Sequence, residues 1–395
     1  MAIYYSVLGQ VQPTSTAETD LYRPQGSAIV STLAITNTSD YQSNASVYIN
    51  TGSTLSDAIN WVPINANIGT NIIYTVAYKN GLYFAASSNG VYSTSTDAVV
   101  WTTRSMPVGT NIIKGIAYGA GVYVAVAQSA AASSTDGITW VTRNIGLGGI
   151  ANTVIFSNGL FIAAGSGPSI GNMKISTDGI TWTPRFVPGT TITEILYENG
   201  IYIASAYQGV VYTSTDSITW STRDTGIGTS DILAMGYGNG IFVVGARNRA
   251  VATSTDGITW TTRNPNLTTV GNINEISFGN NTYIIVADTG NISTSTDAVT
   301  WSLRTSNFGT SNINSISYND GLFLAGGAGG TMRASFGGNY DASSSSNAIL
   351  YNTPISPKST VPLTIGIALE NTNKISVQSS MPNTLTFNVF GSETI

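Results

Sequence analysis

Apolar and polar positions alternate along most of the chain in short runs broken by turn residues. Residues 73–86 read Ile-Tyr-Thr-Val-Ala-Tyr-Lys-Asn-Gly-Leu-Tyr-Phe-Ala-Ala, two β-favouring runs around Asn80-Gly81. Asn-Gly between such runs predicts a two-residue hairpin, because both central residues of a type I′ turn need positive φ. The dipeptide recurs at Asn158-Gly159, Asn199-Gly200 and Asn239-Gly240, with Asp320-Gly321 in the last copy. A third run then carries Ser-Thr-Asp, and a fourth begins near a tryptophan. Four short antiparallel strands are therefore expected in every 40 or so residues.

The period is set by the tryptophans. Trp61, Trp101, Trp140, Trp182, Trp220, Trp260 and Trp301 lie 38 to 42 residues apart and are all the tryptophans of the chain. Four residues before each stands an aspartate: Asp57, Asp97, Asp136, Asp178, Asp216, Asp256 and Asp297. The recurring string is Ser-Thr-Asp-Gly-Ile-Thr-Trp, clean at 134–140, 176–182 and 254–260. Arginine follows three residues after six of the tryptophans, as Arg104, Arg143, Arg185, Arg223, Arg263 and Arg304. The first copy holds only the turn and the fourth strand, whereas the last, from Ile313 to Ser335, lacks a tryptophan and ends after the third. Six whole units and two complementary fragments predict seven four-stranded blades. The N-terminal strand should supply the missing fourth strand of the last blade and close the ring, leaving no exposed sheet edge there.

The predicted propeller covers 55–336, leaving 1–54 and 337–395 on either side. Strand-like runs at Ala28–Thr36, Ala45–Ile49, Ala348–Asn352, Leu363–Leu369, Lys374–Gln378 and Leu385–Phe390 are separated by turn-rich segments. Neither piece is a domain alone, but together they have ordinary domain size and read as one small, discontinuous β-sandwich. The polar joins at 50–54 and 341–347 are the expected crossing points. The expected fold is all-β, a seven-bladed propeller inserted into a small β-sandwich.

Composition narrows the chemistry. The chain has no histidine and no cysteine, which removes triads built on imidazole or thiolate and most zinc, copper and haem sites. Only 9% of residues are charged, against roughly a quarter in an average soluble protein. Ser, Thr and Asn fill the gap with 46, 53 and 35 residues. A net charge of -5 argues against a phosphate-binding surface, so no nucleic-acid partner is expected. No apolar run approaches the length of a membrane-spanning helix. The opening Met1-Ala-Ile-Tyr-Tyr-Ser lacks the features of a secretory signal, so synthesis in a host cytoplasm is expected.

The repeat resembles the Asp-box (BNR-type) turn of sialidases and of many non-enzymatic propellers. That motif spaces Asp and Trp by five residues, whereas this chain uses four, as in a variant of bacterial and phage propellers. The flanks resemble a small β-sandwich of tailed-phage virion proteins, a docking or decoration module. That likeness rests on Ala34–Ser39, Ser46–Asn50, Ile349–Pro357, Leu363–Glu370 and the tail Thr386–Ile395 with its Phe-Gly-Ser-Glu.

Candidate site residues divide into those that follow the repeat and those that depart from it. An aspartate after Ser-Thr is placed to accept backbone N–H bonds in its own turn, so the seven aspartates read as structural. The tryptophans read as packing anchors between blades, and the arginines as partners of a neighbouring turn or of aromatic rings. Departures from symmetry are more informative. Three residues before the inner aromatics stand Thr75, Gly115, Thr153, Glu194, Ala234, Glu275 and Ser315. Glu194 and Glu275 alone are charged and lie on strands expected to line the channel; paired carboxylates there could serve glycosidic hydrolysis. Arg247 and Arg249 form a local basic spot that could touch an anionic ligand.

The resemblances imply a non-enzymatic structural protein on the virion surface of a tailed bacteriophage, a decoration or fibre protein. The sandwich would bind other virion proteins, with many copies or a homo-oligomer on the particle. The propeller would be exposed for attachment to a neutral host-surface glycan or for particle protection. No cofactor, metal or membrane insertion is expected. The alternative is a sialidase-like, glycan-cleaving propeller enzyme.

Overall fold

A computed structural model describes residues 6–12, 19–22, 27–40, 43–51, 61–98, 100–167, 172–188, 191–269, 271–319, 322–336, 348–369, 373–379 and 385–394. By their contacts the residues divide into two compact units, Met1–Asp57 with Gly338–Ile395, and Ala58–Gly337. Apart from three short 3-10 turns, the described elements are all strands.

Within 58–337 the described strands form seven four-stranded antiparallel sheets in chain order. Their first strands are Thr75–Lys79, Ile113–Gly119, Ala151–Ser157, Ile192–Glu198, Ile232–Gly238, Ile273–Gly279 and Ile313–Asn319. Each first strand neighbours the next, and that of sheet 7 returns to that of sheet 1, so the seven surround a common axis. The fourth strand of sheet 7 is Trp61–Ile64, which pairs with Met332–Phe336 in the register Met332 to Ile64 and Ser335 to Trp61. The hairpins between first and second strands have the expected backbone. Asn80 and Gly81 have φ of 47° and 84°, and Asn199 and Gly200 have 53° and 78°. Asp320-Gly321 lies outside the described residues.

The core lies between sheets rather than within any one of them. One cluster joins Phe84 and Tyr92 of sheet 1 to Ile113, Tyr123 and Trp140 of sheet 2. Another joins Trp61 and Phe323 of sheet 7 to Ile284 and Val286 of sheet 6. Second strands such as Val122–Ala127 and Ile241–Ala246 are buried over nearly their whole length, as strands covered on both faces must be.

In the unit formed by the chain ends, two four-stranded sheets mix N- and C-terminal strands. Ser27–Asn37 lies between Leu385–Thr394 and Thr360–Leu369, and Ser43–Thr51 between Asn373–Ser379 and Ala348–Ile355. Leu33, Ile35, Phe387 and Val389 of the first sheet and Ala45, Ile355 and Val377 of the second are fully buried. The sequence pattern missed the two edge strands, Ser6–Val11 and Thr19–Tyr22, which are short and carry Gly9 and Asp20. The joins expected at 341–347 and 52–54 lie outside the described residues.

Candidate functional site: the central channel and its two mouths

Sheets 2 to 7 have a bulge near the start of the first strand, between Ile113 and Gly115 in sheet 2 and between Ile192 and Glu194 in sheet 4. A bulge leaves one residue unpaired and re-aims its side chain. In four of these six sheets the unpaired residue clips its sheet to the next one. Asn152 donates to Ile192 O at 2.8 Å, Thr193 to Ile232 O at 2.7 Å, Asn274 to Ile313 O at 2.9 Å and Asn314 to Ile73 O at 2.9 Å. The sequence reading missed these four. Their signal is a polar residue recurring one place before the Glu194 position.

The next residue also reaches to the following sheet. Ser315 Oγ accepts the N–H of Val76 at 3.0 Å, and Glu194 Oε2 accepts the N–H of Met235 at 2.6 Å. Ala234 holds this position in sheet 5 and cannot do the same for Ile276. The Ile276 N–H instead points to its own neighbour, Glu275 Oε1, at 3.4 Å. Both glutamates thus turn toward the gap over Ala234, where each feels the other. Burial pushes the Glu194 carboxyl well above the ordinary range, and the Glu275 charge raises it further. Burial raises Glu275 likewise. Both residues are half-buried in the channel wall. Such a pair resists carrying two charges at once, and each oxygen can accept from a hydroxyl.

One mouth of the channel carries the loops from fourth to first strands together with the turns from second to third strands. The Gly90 N–H donates to Asn111 O at 3.4 Å, and the Thr289 N–H to Asn312 Oδ1 at 2.9 Å, tying the two sets together. Many loop amides are engaged in the scaffold. Asn71 donates to Ile68 O at 2.9 Å and Asn307 to Trp61 O at 2.9 Å. Thr70, Thr110, Thr229 and Thr310 remain exposed at the loop tips. Arg247 and Arg249 sit on this side, but neither is a loose cation. Arg247 Nε pairs with Asp231 Oδ2 at 2.9 Å, and Arg249 Nη1 donates to Leu267 O at 2.7 Å.

The aspartate turns lie on the opposite side, with the hairpins. Asp178 Oδ1 accepts the N–H groups of Ile180 and Thr181 at 2.8 Å each, and the Ser176 hydroxyl donates to it at 2.8 Å. These bonds, led by the Thr181 N–H, hold its carboxyl down to about 2. Asp97, Asp136, Asp216, Asp256 and Asp297 repeat the arrangement. Asp57 lies outside the described residues. Trp61, Trp101, Trp140, Trp220 and Trp301 are buried, while Trp182 and Trp260 are half-buried. The arginines depart from expectation. Arg104, Arg143, Arg223, Arg263 and Arg304 each donate through Nε to a hydroxyl on the third strand of their own sheet, Thr94, Ser133, Thr213, Thr253 and Thr294. Cross-strand register, not a neighbouring turn, decides their partner. Among the described residues no group of three or more acidic side chains is placed to hold a metal ion.

No family model and no curated protein matches the sequence. Solved structures do. YCF48 bound to D1 peptide superposes with a TM-score of 0.58 at 13% identity, over 72% of this chain and 97% of that one. YCF48 from Cyanidioschyzon merolae gives 0.57 at 14% identity, over 70% and 98%. The computationally designed Ika8 protein gives 0.51 at 13% identity, over 70% and 100%. At such identities the likeness is one of fold. The chain contains a β-propeller.

Proposed function

We propose that this chain is a structural protein of a tailed-phage virion surface, a seven-bladed Asp-box propeller displayed as an insertion in a virion-anchoring β-sandwich. The observation that carries the reading is the mixed pairing of the chain ends. Ser27–Asn37 is hydrogen-bonded on both sides by C-terminal strands, so the flanks form one sheet system and the propeller leaves and re-enters it. Such modularity suits a protein that attaches by one part and presents the other. The exposed threonines of the loop mouth, with Arg247 paired to Asp231 and Arg249 held on the Leu267 carbonyl, favour a neutral polysaccharide over a phosphate- or carboxylate-rich ligand.

The test is deletion of 55–336 with a short Gly/Ser bridge between the flanks. The remaining module should stay soluble and attach to particles. A soluble but non-attaching flank module, with an isolated propeller that does attach, would reverse the roles.

A glycan-cleaving enzyme is the second reading, favoured by the converging carboxyls of Glu194 and Glu275. Retaining and inverting glycosidases both use one protonated and one ionised carboxyl. If the enzyme reading holds, Glu194→Gln and Glu275→Gln each abolish release of reducing sugar from host-surface polysaccharide. On the structural reading the wild-type chain releases none.

A further inference from the structure

The hairpin mouth of the channel differs in kind from the loop mouth. Tyr78, Tyr118, Phe156, Tyr197, Tyr237, Phe278 and Tyr318 form a half-buried aromatic collar near the ends of the first strands. Each collar ring is backed by a second-strand ring. Tyr118 lies 4.5 Å from Tyr123 between centroids, Phe156 4.7 Å from Phe161 and Tyr197 4.2 Å from Tyr202. Backing of this kind fixes a ring before any ligand arrives. Between sheets 1 and 4 the collar opens into a cavity of about 230 Å³, lined among others by Lys79, Tyr118, Phe156, Ser157, Tyr197 and Glu198. We propose that this cavity binds one ring of a neutral saccharide, stacked on the collar and hydrogen-bonded by Lys79, Ser157 and Glu198.

Charge and size carry the argument. Among the described residues neither Lys79 nor Glu198 makes an ion pair, although both face the same cavity. Lys79 is half-buried and burial holds its ammonium below its ordinary range, while Glu198 stands exposed at the cavity rim with its carboxyl raised by partial burial. An ammonium can only donate and a carboxylate can only accept, and a hydroxyl does both. A polyhydroxyl ligand therefore satisfies both groups, while an anion meets Glu198 and a cation meets Lys79 with like charge. Pockets for drug-sized ligands run to roughly 300–1,000 Å³, so this smaller one suits a single ring.

This inference rests on the glycan-binding reading above and adds a second contact at the other mouth. The test uses the full chain, with methyl glycosides of glucose, galactose, mannose and N-acetylglucosamine and with neutral host-surface polysaccharide, read by saturation-transfer and amide-shift NMR. At least one glycoside should bind with a dissociation constant on the order of millimolar, shifting Tyr118, Ser157 and Tyr197. Tyr197→Ala and Lys79→Met should each weaken it about tenfold with melting temperature little changed, and Tyr197→Phe should retain it. Polysaccharide binding that the collar variants leave unchanged would overturn the collar site and leave the glycan reading standing. No binding of either probe would overturn both. Tighter binding of methyl glucuronide than of methyl glucoside would overturn the neutral assignment.

Discussion

At the residue scale two kinds of carboxylate pull stability in opposite directions with pH. The turn aspartates are held below their ordinary values by backbone N–H donors, so their contribution is present above the unfolded range and lost as pH falls through the folded values; Asp178 and Asp216 stand at about 2. Glu194 and Glu275 are raised by burial. Their contribution is full below the ordinary glutamate range and is lost as pH rises through the raised values. The melting temperature should therefore peak in mildly acid solution and decline toward alkaline pH. In Glu194→Gln the alkaline decline should flatten, because no second charge then develops over Ala234; an unchanged slope would show that the pair does not titrate as described. In the turns the acceptor oxygen matters more than the charge. Asp178→Asn, which keeps that oxygen, should melt near the wild type, and Asp178→Ala clearly lower.

At the element scale the first strand is the working part of each unit, and glycine controls how tightly neighbours close. A Cβ at Gly238 would stand 2.2 Å from the Phe278 ring of the next sheet. Gly238→Ala should therefore displace that ring and destabilise the chain by about 1–3 kcal/mol, measured by denaturant unfolding. A neutral result would mean that the collar ring rotates freely. Strand number, hairpin type and the turn aspartates were legible in the sequence because period, Asn-Gly and Ser-Thr-Asp are local signals. Glu194 and Glu275 were legible as breaks in the repeat. Their convergence was not, since it depends on Ala234 offering no acceptor and on Ile276 pointing its N–H back to Glu275. The bulge that sends Asn152, Thr193, Asn274 and Asn314 sideways was equally hidden, because a bulge changes pairing without changing the apolar alternation. Cavity and collar needed the folded chain, for Lys79 and Glu198 are over a hundred residues apart in sequence and meet the same space only across four sheets.

At the scale of the whole molecule, four residues close the ring. Trp61–Ile64 pairs with Met332–Phe336 across nearly the full length of the propeller unit, and Trp61 is 2% exposed between sheets 6 and 7. Its loss removes a buried ring and loosens the contact that joins the two ends. Trp61→Ala should cost about 3–5 kcal/mol, and more than Trp182→Ala, whose indole is half-buried. Equal losses would show that neither the deeper burial of Trp61 nor its place in the closing strand adds to the cost. The chain carries 35 charged side chains, 15 basic and 20 acidic, and the exposed loop tips at Thr70, Thr110, Thr229 and Thr310 carry none. Hydroxyl contacts of this kind are weak singly, so adhesion would draw on many copies per particle. Screening acts on charges, leaving such contacts nearly untouched between about 20 mM and about 150 mM salt. On the virion-surface reading proposed above, particle adhesion to host cells through this protein should be almost constant over that range. A collapse at the higher salt would mean that ions carry the contact and that a neutral glycan is not the ligand.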